Sequence, residues 1–430
     1  MKLINIALKI FQYSICSLIV LIIRFLSIIY IIKFDCSYSS RIGHFAGILS
    51  LYLSERHIKN LNKKSLFQFF IHEKFISNQH LETLLSRKIF FLSSFFYPIL
   101  IINKWIPGGT RHLINYKNDY FDRRRVFEHR DINNLNDTTS VPVQFTIEEI
   151  QNAQNDCNKI GIYKNDKIII VNIRDNNYLK ILYPDNDWSY KTQNADIKSY
   201  KKTIEYLLDK GYKVVRCGLH HQDSINISNK NYIDLFNQGI RTSLIENYLT
   251  SICLFQIGSY SGGTIPAHFL FRKPVIYTNY IPLSELHLGS YKIYIILKKI
   301  YDKKRKKNIT TSEYFDLLNS SFGPTILNTP DDIRYHSNVN FKNLFSKYQK
   351  EDFEIIDNTQ DEILDAVLEL LAQIESSSLY EKNVNLENIR FREIFLKNLK
   401  KYPNLKKFYP STINSKIGQK FLQANENFLN

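Results

Sequence analysis

The chain has 430 residues, a formal net charge of +16 and an apolar content of 44%. This length predicts two domains, and the apolar content excludes a disordered chain. The basic residues are spread along the chain, without a helix-turn-helix, zinc-finger or aromatic-strand signature, so we expect no nucleic-acid partner. The charge favours an anionic membrane surface or a phosphorylated substrate instead.

An apolar segment at the N-terminus, residues 1–26, predicts a membrane-associating helix. Four polar residues recur there at intervals of three and four and so share one helical face: Lys2, Asn5, Lys9 and Gln12. That spacing is typical of a helix lying in a membrane interface. The alternative is a span over residues 10–32, which would carry Arg24 into the bilayer at a cost of about 3 kcal/mol. Either form predicts a peripheral or single-anchor protein at the cytoplasmic face of the inner membrane.

A first α/β domain, with connecting loops at its end, is predicted over residues 27–145. A buried strand over residues 28–34 leads through a glycine-bearing loop at residues 41–47 into a helical pattern. A strand, a helix and another apolar run follow up to residue 96. Periodicity then fades over residues 105–142, which indicates an interdomain connection or an acceptor-facing loop region.

A second α/β domain is predicted over residues 146–345, and it opens with a capping box at residues 146–149. Strand and helix patterns alternate from residue 167 to residue 279, which predicts a parallel sheet wound with right-handed crossovers. A basic run at residues 298–307 indicates either a solvated loop or a membrane-surface contact. Residues 346–430 are predicted to form C-terminal helices and a tail.

The stretch from residue 252 to residue 279 carries the clearest functional signal in the second domain. It predicts a strand, a small glycine-rich loop (residues 259–264), a short helix and a second strand. The backbone amides of Ser261, Gly262 and Gly263 would form an anion site, because glycine lets the backbone approach a ligand closely. A phosphate or diphosphate is the natural occupant, and a tight connection without a ligand is the alternative.

Five short motifs, in order over about residues 41–282, support a family comparison. They are Arg41-Ile42-Gly43-His44, Asn172-Ile173-Arg174-Asp175 with Tyr178-Leu179, Asn194-Ala195-Asp196 with Tyr200, Gly211 to Gly218, and Ser261-Gly262-Gly263 with Pro274-Val275. In these motifs the chain resembles a bacterial family of glycosyltransferases found in surface-polysaccharide gene clusters. The strand-end motif is also similar to that of fucosyltransferases of the same architecture. Asn172 stands where the first family usually has histidine.

The resemblance implies an α/β fold of two Rossmann-like domains (GT-B type), preceded by the N-terminal apolar helix. It implies transfer of a sugar from a nucleotide-sugar donor to a surface-polysaccharide or lipid-linked glycan acceptor, by a metal-independent and inverting reaction without a further cofactor. The alternatives are a pyruvyl- or other group transferase of similar fold and a non-catalytic, membrane-bound glycan-binding protein.

Seven residues are expected on the donor side: Arg174, Arg216, Gly218, Ser259, Ser261, Gly262 and Gly263. The similarity to fucosyltransferases implies that Arg174 binds the donor phosphate, and a planar guanidinium suits bidentate binding of a diphosphate. The alternative for Arg174 is a structural salt bridge. Arg216 would contact the same phosphates or pair with Asp234.

The acceptor side is expected at Arg41 and Gly43, with His44 as the first candidate for the catalytic base. The alternative for His44 is a cap on its own loop. Asp175 is a second candidate base, and its alternative role is to orient Arg174 or the adjacent loop.

No metal site is predicted. Asp185-Asn186-Asp187 has the spacing of the metal-binding Asp-x-Asp motif, but it lies in what the sequence indicates is a long loop. The five dispersed cysteines predict reduced core thiols rather than a metal or redox pair.

Overall fold

The computed structural model describes residues 2–58, 66–114, 131–175, 177, 194–219, 224–281, 283, 286–322, 352–376, 384–401, 409–410 and 412–430. The first part of the chain forms α1 (Lys2–Leu26), β1 (Ile31–Cys36), α2 (Ile42–Ile58), β2 (Leu66–Ile71), α3 (Gln79–Ser86), β3 (Phe90–Leu92), α4 (Pro98–Trp105) and α5 (Leu135–Thr138). The middle part forms α6 (Ile147–Lys159), β4 (Ile168–Asn172), α7 (Lys201–Asp209), β5 (Lys213–Arg216), β6 (Tyr232–Asp234), α8 (Ser243–Ile252), β7 (Phe255–Ser259), β8 (Val275–Tyr280) and β9 (Ile293–Leu297). The last part forms β10 (Lys299–Asp302), β11 (Lys307–Asn308), α9 (Thr311–Phe322), β12 (Phe353–Ile356), α10 (Gln360–Glu375), α11 (Leu386–Lys401), β13 (Lys416–Ile417) and α12 (Gln419–Ala424).

A seven-stranded sheet forms the centre of the larger unit, in the order β13-β9-β8-β7-β4-β5-β6. Its strand pairs are parallel. The chain enters at β4, adds β5 and β6 on one side, and then returns to add β7, β8 and β9 on the other. The direction of winding therefore reverses between β4 and β7, which makes this pair the topological switch point of the sheet.

Runs of apolar, β-branched residues make β4 and β9 suited to burial on both faces. Strands β7, β8 and β9 are buried along their whole length. Helix α7 covers the sheet with the apolar stripe expected from its sequence, and Ile204, Leu207 and Leu208 are buried. Asp196 caps a single 3₁₀ turn (Ile197–Tyr200) immediately before α7.

A smaller parallel sheet of three strands, in the order β1-β2-β3, forms the first unit. Phe45 and Leu49 of α2 pack with Phe70 on one face, and α1 and α4 pack on the other. The first strand begins at Ile31 rather than at residue 28, because residues 27–30 form a turn in which the Tyr30 N–H donates to the Leu26 carbonyl. The expected mixed α/β fold and the N-terminal apolar helix are both present.

The C-terminal residues complete the larger unit. The short strand β13 pairs with β9 at the edge of the sheet, and buried residues of α10, α11 and α12 join the main core. The described part of residues 352–430 is thus largely packed structure, where the sequence predicted helices followed by a tail.

The basic run at residues 298–307 forms a β-hairpin, β10 and β11, that pairs with β12. Five of its cations lie within salt-bridge distance of carboxylates: Lys298, Lys299, Lys304, Arg305 and Lys307. The run is therefore largely neutralised within the fold, which weakens its interpretation as a basic contact surface.

Candidate functional site

The loops after β4 and β7 lie side by side at the switch point of the larger sheet. Asn172 and Gly258 are register partners at the ends of these strands. Two residues after Asn172, the Arg174 N–H donates to the Ser259 hydroxyl oxygen over 2.8 Å. Ser259 is fully buried, so its side chain positions the Arg174 backbone. The donor contact expected for Ser259 stays a prediction, and its observed contact is with the Arg174 backbone.

The glycine-rich loop after β7 passes so close to the end of β4 that a side chain would not fit. A β-carbon on Gly263 would come within 2.6 Å of Asn172 Nδ2, and one on Gly258 within 2.4 Å of the Asn172 carbonyl oxygen. The Thr264 hydroxyl donates to the Ser261 carbonyl over 2.7 Å and closes the loop. Asn172, the departure from the family motif, therefore packs directly against this loop.

The loop leads into a 3₁₀ turn (Gly262–Thr264) and then into a π-helical turn (Pro266–Leu270). The first N–H groups of such a turn have no acceptor within it. Gly262 is exposed, and Ser261 and Gly263 are half-buried, so this backbone borders solvent. The predicted strand, loop, helix and strand are all present in this stretch.

The start of α2 touches the glycine-rich loop. A β-carbon on Gly43 would come within 2.7 Å of the Gly262 α-carbon. Arg41 is exposed, and its carbonyl accepts the Phe45 N–H over 2.9 Å in the first turn of α2. His44 follows Gly43 and is half-buried. Residues expected on the acceptor side thus adjoin residues expected on the donor side.

Hydrogen bonds to the end of β2 hold the loop between β1 and α2. The Ser40 N–H donates to Glu73 Oε2 over 3.0 Å, and the Glu73 N–H donates to the Ser39 hydroxyl oxygen over 3.1 Å. Ser37 Oγ lies 3.1 Å from His72 Nδ1, and burial lowers the pKa of His72. Sequence reasoning missed these residues, because their pairing links positions more than thirty residues apart without a local pattern.

Arg216 pairs with Asp234, which is one of the two roles expected for it. It is 2% exposed, and its Nη1 lies 3.2 Å from Asp234 Oδ2. Asp234 also accepts hydrogen bonds from the backbone and side chain of Asn237. This pair agrees with the structural alternative for Arg216, and its contact with the donor phosphates stays a prediction.

Gly218 is likewise committed to the fold. Its N–H donates to Glu246 Oε1 over 2.9 Å, and the other oxygen of Glu246 accepts from Arg241. This backbone donor is therefore occupied by Glu246, and the donor-binding role expected for Gly218 stays a prediction.

Arg174 and Asp175 are half-buried beyond the end of β4. Asp175 Oδ1 accepts the Asn177 N–H over 2.9 Å, and the Arg174 carbonyl accepts the Ala195 N–H over 3.2 Å. The first contact agrees with the alternative role of Asp175, in which it orients its own loop. Tyr178 and Leu179 of the second motif, and Asp185 to Asp187, lie outside the described residues.

A buried polar network lies beneath the site. The hydroxyl of Tyr200 contacts Thr278 Oγ1, and Asn279 Nδ2 donates to the same Tyr200 hydroxyl over 3.3 Å. Burial raises the pKa of Tyr200 to about 12, so the phenol stays neutral. Lys298 Nζ donates to the Asn194 carbonyl over 2.7 Å and lies 2.6 Å from Asp357. These contacts involve the Asn194 carbonyl and the Tyr200 hydroxyl, so both residues are held within the fold.

The described residues contain no group of three or more His, Cys, Asp or Glu side chains arranged to hold a metal ion.

Comparisons with known proteins add little to this geometry. No family model and no curated protein matches the sequence. One solved structure, a glycosyl transferase family 9 protein from Veillonella parvula, is similar at 9% identity and a TM-score of 0.36. The match covers 73% of this chain and 97% of that chain. A TM-score this low does not establish a common fold.

Proposed function

We propose that the chain is a glycosyltransferase that binds a nucleotide-sugar donor at the switch point of its larger sheet. The observation that carries the proposal is the convergence of three loops, which follow β1, β4 and β7. Ligands of open α/β sheets bind outside the carboxyl ends of the strands where the winding reverses. The strand order from β6 to β9 is that of dinucleotide-binding sheets, which supports a Rossmann-like donor domain.

The donor diphosphate would lie against the Gly262 and Gly263 amides and the Arg174 guanidinium. The positive charge of the guanidinium and the N–H dipoles of the amides would offset the negative charge that develops on the leaving nucleotide. The reaction would therefore need no metal. The Ser259 hydroxyl supports this role, because it fixes the backbone from which the Arg174 side chain extends.

The acceptor would bind on the side of α2, within a first domain that we also propose to be Rossmann-like. His44 follows the glycine that touches the donor loop, and it would remove the proton from the attacking hydroxyl in an inverting displacement. The acceptor would be a surface-polysaccharide or lipid-linked glycan.

The test begins with a thermal-shift panel of nucleotide sugars on the full chain, because a ligand that binds only the folded state raises the apparent stability. We expect one nucleotide class to raise the melting temperature, and Arg174→Ala to remove that shift and the transfer of labelled sugar. Arg390→Ala is the matched control, since Arg390 is exposed on α11. Unchanged binding and transfer in Arg174→Ala would contradict the proposal. Phosphoenolpyruvate in the same panel tests the pyruvyltransferase alternative.

A further inference from the structure

An exposed apolar surface covers one side of the first unit. Its members on α1 are Ile10, Phe11, Leu18, Leu21, Ile22 and Phe25. It continues beyond the helix through Ile28, Ile29, Tyr30, Phe67, Phe90 and Trp105. We call these residues the apolar face. Such an extent is far larger than the scattered apolar side chains of an ordinary soluble surface.

The opposite side of α1 is bound to the protein. Cys16, Val20 and Ile23 are buried against α4 and the three-stranded sheet. Gln12 Nε2 donates to the Phe95 carbonyl over 2.6 Å, and Arg24 Nη2 donates to the Pro107 carbonyl over 2.8 Å. From residue 12 onward, α1 is therefore an integral part of the first unit.

The polar residues of α1 follow the same helical face as its buried residues, although Asn5 and Lys9 are exposed and only Gln12 is half-buried. Asn5, Lys9 and Gln12 continue at intervals of three and four into Cys16 and Val20. The sequence predicted a helix that turns its polar stripe towards water. In the structure this face packs on the protein from Gln12 onward, so the outward side of that part of the helix is largely apolar.

Ring contacts show that the apolar face is continuous across the sheet edge. The Tyr30 and Phe67 rings lie 6.4 Å apart, and the Phe69 and Phe90 rings lie 5.9 Å apart. Phe67 and Phe69 are two residues apart in β2 and so share one face of the strand. The surface thus runs from α1 through the turn after it to β3.

Cations cluster at the C-terminal end of α1, beside the apolar turn. Arg111 Nη2 donates to the Ser27 carbonyl over 3.0 Å. Burial lowers the pKa of His112, the hydrogen bond to the Ile32 carbonyl raises it, and the charges of Arg111, Arg24 and Lys33 lower it further. Apolar side chains flanked by Arg and Lys match the acyl and headgroup layers of an anionic bilayer.

We propose that the apolar face docks on an anionic lipid bilayer with α1 lying in the plane of the interface, so that the protein is monotopic. The segment Ile4–Leu26 is long and apolar enough to cross a membrane. One side of α1 is packed against α4 and bonded through Gln12 to Phe95. If α1 crossed the membrane, these attached parts of the protein would have to enter the hydrocarbon together with the helix. The inference rests on no part of the proposed sugar transfer.

Flotation of the full chain with vesicles tests the docking. We expect binding to phosphatidylcholine vesicles that contain about a third phosphatidylglycerol, and weaker binding without the anionic lipid. Leu18→Glu with Leu21→Glu should weaken binding about 10-fold or more, because charge is placed in the inserted side. Both side chains are exposed, at 60% and 59%, so the variant should fold.

Ile147→Glu and Leu386→Glu are matched controls, since these apolar residues are 76% and 80% exposed outside the apolar face. Equal binding of the Leu18/Leu21 variant and these controls would overturn the proposal. So would a stable dimer, measured by light scattering, that the Leu18/Leu21 variant dissociates, because a second copy would then occupy the face.

Depth measurements separate a helix in the interface from a spanning one. The five native cysteines are buried, so Ile10→Cys and Leu21→Cys can each take a fluorescent label selectively. Quenching by lipids brominated at different depths should give the same shallow depth at both positions. Eleven residues of helix span about 16 Å, so a difference of that size would show a crossing helix and overturn the monotopic arrangement.

Discussion

The α-carbon of Gly262 lies against Gly43, so closely that a β-carbon added to Gly43 would come within 2.7 Å of it. This contact joins the start of α2 to the loop after β7, and so links the two sheets beside the proposed donor site. The atom that the added β-carbon would meet belongs to the backbone, so no flexible side chain can move aside to relieve the contact.

We expect Gly43→Ala to reduce sugar transfer by about 10- to 100-fold, because the added methyl group must push the two loops apart. Alanine favours a helix over glycine by about 1 kcal/mol, so the stability of α2 itself should not fall. Transfer assays beside circular dichroism of the full chain measure both effects.

Gly262→Ala provides a graded comparison. Its added β-carbon would meet the Gly43 nitrogen at 3.2 Å, a contact that small shifts relieve. We therefore expect a smaller loss than in Gly43→Ala. Equal activity of Gly43→Ala and the wild type would contradict the role of this contact.

The sequence predicted local features well, because their causes lie within a few residues. Thr146 Oγ1 accepts the Glu149 N–H and Glu149 accepts the Thr146 N–H, as the capping-box pattern requires. The strand, loop, helix and strand around Gly262 likewise follow from apolar runs interrupted by glycine.

Features that depend on distant partners were not predictable in the same way. An arginine at a strand end suits both a phosphate and a carboxylate, and only the pairing of β5 with β6 brings Arg216 to Asp234. The two residues of β13 are too few to give a period, although they extend the large sheet. The contact of Gly43 with Gly262 also requires both folded units.

Arg216 and Asp234 form a buried pair whose role can be separated from ligand binding. Arg216→Leu alone should destabilise the fold by about 3–5 kcal/mol, because it leaves a buried carboxylate without its cation. Arg216→Leu combined with Asp234→Leu should recover part of that loss. Urea unfolding measures the free energies.

Nucleotide-sugar binding provides the second readout for this pair. If the pair is only structural, the double variant should retain the thermal shift that the donor gives. A double variant that folds but has lost this shift would show that Arg216 contributes to donor binding.

Arg272 connects the two units through hydrogen bonds to α2. Its Nη2 donates to the Ser54 hydroxyl over 2.7 Å and to the Thr139 hydroxyl over 3.1 Å. We expect Arg272→Met to lower the free energy of unfolding by about 3 kcal/mol, because the buried Asp131 and the half-buried Asp137 lose a nearby cation. Urea unfolding tests this, and Arg390→Met on exposed α11 should change the value by less than about 0.5 kcal/mol. Similar effects of the two substitutions would contradict the connecting role of Arg272.

The lowered pKa of Glu149 predicts how the free energy of unfolding changes with pH. Burial raises the pKa of this carboxyl, but hydrogen bonds from Arg87 and the Thr146 N–H outweigh it and lower the pKa to about 2. Because the folded pKa lies below the usual value of 4.5, the ionised form stabilises the fold above pH 4.5. That contribution is lost as the pH falls towards 2.

We therefore expect Glu149→Gln to be less stable than the wild type at pH 6, and the difference to shrink between about pH 4.5 and pH 2. Urea unfolding across this pH range measures the difference directly. Glu148→Gln is the neighbouring control, since Glu148 is exposed in the same helical turn and should show a small difference throughout. The opposite outcome is a difference in free energy of unfolding between Glu149→Gln and the wild type that stays constant down to pH 2. That result would mean that the carboxylate charge does not stabilise the contact of Glu149 in α6 with Arg87 at the end of α3.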